Sequence, residues 1–196
     1  MKTVNDLFKQ LENGDWNQKI EASDFLVTRS SSRVISSLIA LLESKDGDVR
    51  NAAALALREI GDNSAVAPLF QAIKNPAHKR DNSTLVYALE CLDCSRFFLE
   101  IFALTLSPYW DVHISAMTIL HEQKFHIKDA DIRRATAMLK KTKSQVQDYE
   151  TLEAYLKSLR HDEGDEGDRK KVDKKDSHHY GSYEAQPKRI KVRKKD

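Results

Sequence analysis

Asp48-Val49-Arg50-Asn51-Ala52-Ala53-Ala54-Leu55-Ala56-Leu57-Arg58-Glu59-Ile60-Gly61-Asp62, followed by Ser64-Ala65-Val66-Ala67-Pro68-Leu69-Phe70-Gln71-Ala72-Ile73, decides the fold. Ala53, Leu57 and Ile60 fall at i, i+4 and i+7, which puts them on one face of a helix. Gly61 suits the stop, where the backbone turns left-handed. Asn63 or Ser64 suits the cap of the next helix. Pro68 falls in its first turn, where a missing N–H matters least. Val66, Leu69, Phe70 and Ile73 then recur at i, i+3, i+4 and i+7, so the unit is a helical hairpin.

The same pattern lies 31 positions earlier. Lys19 falls under Arg50, Ala22 under Ala53 and Leu26 under Leu57. In the second helix Ile35 falls under Val66, Leu38 under Leu69, Ile39 under Phe70 and Leu42 under Ile73. A third copy lies 32 positions later, with Leu89, Phe98, Ile101 and Phe102 in the corresponding places. A fourth, 63 positions later, begins Asp111-Val112-His113 and continues through Ala116 and Leu120; its second helix is carried by Ile132, Ala135 and Leu139. A hairpin with one apolar face cannot bury that face alone, and stacking copies buries it.

The second copy resembles the HEAT-like repeats of phycobilisome lyase subunits. Asp48, Val49, Arg50, Ala53, Ala54, Leu57, Ile60, Gly61, Ala65, Val66, Pro68, Leu69, Ala72 and Ile73 carry the likeness, which extends over roughly residues 15–140. It implies an all-α fold: an α-solenoid of about four hairpins with a right-handed superhelix. Val4, Leu7, Phe8 and Leu11 mark a capping helix before the first copy. Val146, Tyr149, Leu152, Leu156 and Leu159 mark a closing helix whose outer positions are polar, as a terminal cap requires. The repeat domain is therefore expected over residues 1–160.

Composition changes near Arg160. Residues 161–196 have almost nothing apolar to bury and are expected to be a disordered charged tail. Residues 1–160 carry 21 basic and 21 acidic side chains, so the tail supplies the whole net charge of +2. The tail ends in a basic run, Lys188, Arg189, Lys191, Arg193, Lys194 and Lys195. Such a run can bind nucleic acid or an acidic surface, or simply keep the tail solvated.

Apolar residues at 40% suffice for a packed core, and two cysteines are too few for a disulfide framework. No apolar run approaches the roughly 20 residues of a membrane span, and the start of the chain carries no signal-peptide pattern. These features lead to an expectation of a soluble, cytoplasmic monomer with no membrane partner.

Candidate chemistry is thin. Cys91-Leu92-Asp93-Cys94 would need two further ligands to hold zinc, so both cysteines are read as core or near-core residues. His113, His121 and His126 cluster in the fourth copy. His121-Glu122 resembles the His-Glu pairs of deoxyhypusine hydroxylases, but it sits at a helix end and stands alone. No phosphate loop, nucleophile elbow or HExxH occurs. The expectation is a chain that is not an enzyme and holds no metal or cofactor. Asp48 and Arg50, with their equivalents Lys19, Asn82 and His113, are read as caps or bridges between repeats.

The leading functional reading is a protein-binding scaffold, a class that resembles, among others, immunity proteins that neutralise secreted toxins. The register places Arg33, Ser37, Ala40, Gln71, Lys74, Ala103, Arg133 and Arg134 on the concave face of the second helices. Tyr109 and Trp110, in the loop before the fourth copy, are either binding anchors or, as with Trp16, packed between repeats; packing is the favoured reading. The alternatives are a nucleic-acid binder resembling the HEAT-like DNA glycosylases, and a phycobilin lyase or chaperone. A bacterial source is expected, because the repeat type is common there.

Overall fold

The computed structural model describes residues 2–78, 82–143, 146 and 148–161, all within one compact unit. Of the expected tail, His161 is the last residue of the final helix, and residues 162–196, including the basic run from Lys188 to Lys195, lie outside the described residues. Among those residues every regular element is helical. The chain runs α1 (Val4–Asn13), α2 (Trp16–Val27), α3 (Ser32–Leu41), α4 (Gly47–Ile60), α5 (Val66–Lys74), α6 (Ser83–Leu89), α7 (Phe98–Thr105), α8 (Trp110–Glu122), α9 (Asp129–Lys141) and α10 (Tyr149–His161).

Helices α2/α3, α4/α5, α6/α7 and α8/α9 are the four expected hairpins, and α1 and α10 are the two end helices. The first helices form a continuous layer: α2 packs on α1 and α4, α4 on α6, and α6 on α8. At the far end α9 packs on both α7 and α10. Leu38, Leu69 and Ile101 are each fully buried in successive second helices, as equivalent places in a stack must be. Leu7 and Leu11 of α1, and Leu152 and Leu156 of α10, seal the two ends. The arrangement is an α-solenoid.

Local signals explain the boundaries. Thr3 and Asp15 open α1 and α2 through reciprocal capping boxes with Asp6 and Gln18. Ser31 caps α3 and Asp46 caps α4. Gly61 ends α4 at φ +71°, where a side chain would be strained. The next cap differs from expectation. Asp62, not Asn63 or Ser64, supplies the oxygen, accepting from Ser64 N at 2.8 Å. It opens a short 3-10 turn, Asn63–Ala65, before α5, because an aspartate directly after the glycine reaches the first free amides.

The fourth copy is looser for a simple reason. The loop from Gln123 to Lys128 lengthens the hairpin, so buried Ile132, Ala135 and Leu139 follow Phe98, Ile101 and Thr105 by 34 positions.

Candidate interaction surface

One polar residue per repeat is buried at the same place, near the start of the first helix: Lys19, Arg50, Asn82 and His113. Each donates to carbonyls at the end of the preceding helix or in the loop just beyond it. Lys19 Nζ reaches Glu12 O at 3.1 Å, and Arg50 reaches Ser44 O at 2.8 Å and Lys45 O at 3.2 Å. Asn82 Nδ2 reaches Ile73 O at 2.8 Å, and His113 Nδ1 lies 2.6 Å from Thr105 O. The last carbonyls of a helix lack partners within it, so the column ties each first helix to the helix before it. Lys19 and His113 also reach forward, to Asp46 at 3.3 Å and Asp148 at 2.8 Å. The bridging role expected of this register holds. Asp48 itself lies in the first turn of α4, where its charge favours the helix dipole.

With these groups committed internally, surface chemistry falls to the second helices and the loops. Arg33, Ala40, Gln71, Lys74, Ala103, Arg133 and Arg134 are all exposed, and Ser37 is half-buried. They do not converge on one spot. Lys74 pairs with Glu100 across α5 and α7 at 3.4 Å. Phe97 stacks on Phe70 with ring centroids 4.9 Å apart, joining the same two layers below the surface.

Tyr109 and Trp110 depart from the favoured reading. They are 48% and 59% exposed, and Trp110 stacks on the His113 ring, 6.0 Å between centroids. Trp16, at the equivalent place in α2, is also exposed. Both tryptophans open a first helix and stand at the edge of the stack, where they stay exposed.

The cysteines need a similar correction. Helix α6 stops at Leu89, so both fall in the turn beyond it. Cys94 is buried, but Cys91 is exposed. Burial, and next the charge of Asp93, push the Cys94 thiol up to about 12. Among the described residues no group of three or more His, Cys, Asp or Glu side chains is arranged to hold a metal ion. His121 meets the Tyr155 ring edge-on at 6.3 Å, a packing contact between α8 and α10.

One open depression near the expected surface was not foreseen as a unit. A cleft of about 610 Å³ is lined by Arg96, His126, Lys128, Ala130, Asp131 and Arg134. Only Arg134 belongs to the second-helix register. Arg96 comes from the turn before α7, and His126 and Lys128 from the loop before α9. Loop residues carry no periodicity, so a helical register does not find them.

Residues 4–90 match the family model of HEAT repeats, which supports a HEAT-like repeat architecture for this chain. The matched stretch covers α1 to α6, the part in which the repeats are most regular. HEAT repeats commonly mediate protein–protein interaction. No curated protein matches the sequence. No helix among the described residues is long and apolar enough to cross a membrane.

Proposed function

We propose that this protein is a non-enzymatic interaction scaffold that binds a macromolecular partner, a protein, through the exposed face of its second helices. The observation that carries this reading is the division of labour among polar side chains. The buried ones, Lys19, Arg50, Asn82 and His113, bond to neighbouring repeats. Those on the second helices, Arg33, Gln71, Lys74, Arg133 and Arg134, stand in solvent on a rigid frame. Solenoids use such extended surfaces for binding, and exposed Tyr109 and Trp110 add two large aromatic side chains of the kind that anchor interfaces. Toxin neutralisation is the specific form we favour, since a stiff charged face suits covering an enzyme's active site.

Affinity purification from the native source tests the reading, with wild type compared against an Arg33→Glu, Lys74→Glu, Arg133→Glu triple variant. The expected result is one protein enriched by wild type and lost by a variant that melts at the same temperature. Enrichment of nucleic acid alone, or retention of the protein by the variant, would overturn it. A secreted hydrolase inhibited by the wild-type chain would establish the immunity form.

A further inference from the structure

We propose that the cleft between the turn before α7 and the start of α9 is the docking site for an acidic peptide segment of a protein partner. This deepens the scaffold reading and rests on its claim that the partner is a protein. Four exposed basic groups line the cleft: Arg96, His126, Lys128 and Arg134. None of them forms an ion pair or side-chain hydrogen bond with another described residue.

Two neighbouring acids, Asp131 and Asp93, are already engaged. Asp131 Oδ2 accepts from Lys128 N at 3.1 Å. Asp93 Oδ1 accepts from Ser95 N at 2.9 Å. Ser95, first, and then His126 and Arg96 hold the Asp93 carboxyl below the usual carboxylate range. Residues 123–143 contain seven Lys and Arg against two Asp, inside a body whose charges balance overall. This end of the surface is therefore locally positive, and an acidic segment is its electrostatic complement.

The cleft walls are fixed before any partner arrives. Gln123 grips the turn twice, donating from Nε2 to Leu92 O at 2.9 Å and accepting at Oε1 from Cys94 N at 2.8 Å. His126 N donates to Ser95 O at 2.9 Å. On the other side Asp93 N donates to Asn63 Oδ1 at 2.8 Å. The turn is thus pinned to both the second and the fourth repeat. A backbone already held in place loses less entropy on binding than a mobile loop. A volume of about 610 Å³ has room for a few carboxylate side chains and the backbone between them.

The test is fluorescence anisotropy of a dye-labelled peptide of about ten Asp and Glu residues titrated with the full-length chain. We expect saturable binding that weakens by about tenfold or more in Arg134→Glu and in Lys128→Glu, and that fades as salt is raised. Arg33→Glu, far along the register, should change it less than twofold. The basic tail is the same in every variant, so the ratio isolates the cleft. Arg134→Ala and Lys128→Ala serve as milder variants should a reversal disturb folding. Equal affinity of wild type and all cleft variants, or no saturable binding, overturns the proposal. So does tighter cleft-dependent binding of a single-stranded oligonucleotide of equal charge. A native protein partner captured equally well by the cleft variants would remove this site while leaving the scaffold reading intact.

Discussion

Asp148 Oδ2 sits 2.8 Å from His113 Nε2, and three layers earlier Asp46 Oδ2 sits 3.3 Å from Lys19 Nζ. The two pairs occupy the same place in the first and fourth repeats. In each, a buried donor takes a carbonyl behind it and a carboxylate ahead, just before the next helix in the stack. Both neighbours are acceptors, so the two ring nitrogens of His113 meet what the single ammonium of Lys19 meets in the first copy. Histidine there acts as a stand-in for the lysine of the first copy.

That equivalence is testable by exchange. His113→Leu leaves Thr105 O and Asp148 without their partner, and we expect a loss of about 2–4 kcal/mol. His113→Lys can reach both acceptors and should cost about half as much or less. Urea denaturation of both variants decides the matter. Equal loss in the two would mean that the site needs volume and shape, not a donor.

Asp46 carries a second prediction, in pH. Burial pushes its carboxyl up, but Lys19 and the amides of Asp48 and Val49 more than offset this and hold it below the usual range. The folded value lies under the unfolded one, so the charge contributes fully above about pH 4 and is lost as pH falls through the folded value. Asp46→Asn keeps an oxygen for the cap but gives Lys19 no counter-charge. It should melt lower than wild type at pH 7, by about 0.5–1 kcal/mol because the carboxylate is half exposed. The gap should narrow as pH falls below the ordinary aspartate value and vanish only once the folded carboxyl is protonated. A gap that stays constant across that range would show the charge to be irrelevant.

The hairpins, their register and both end helices were legible because each is written in apolar spacing, and Gly61 marks its stop unambiguously. The buried polar column was legible too, once Lys19, Arg50, Asn82 and His113 fell at matching positions. Trp16 and Trp110 were misread because helical register says nothing about the edge of a stack. The cleft was invisible as a unit because Arg96, His126 and Lys128 come from loops whose approach depends on Gln123 crossing to the turn at Leu92 and Cys94. A long-range bond from a single glutamine leaves no periodic trace.

The same glutamine makes Cys94 a reporter of cleft integrity. Cys91 is exposed and Cys94 is buried, with its thiol pushed up to about 12 and its Sγ 3.7 Å from Leu89 O. The thiolate is the reacting species, so at pH 7 the native chain should take up one equivalent of a maleimide quickly, at Cys91, and the second only after unfolding. Intact-mass spectrometry counts the labels, and Cys91→Ser should take none in the native state. Gln123→Ala removes the acceptor from Cys94 N and the donor to Leu92 O, which frees the turn to open locally. Cys94 should then label about tenfold faster while the global unfolding midpoint moves far less. If Cys94 in that variant stays as slow as in wild type, the turn is held by its other bonds, and the pinned wall on which the docking site depends is not Gln123's doing.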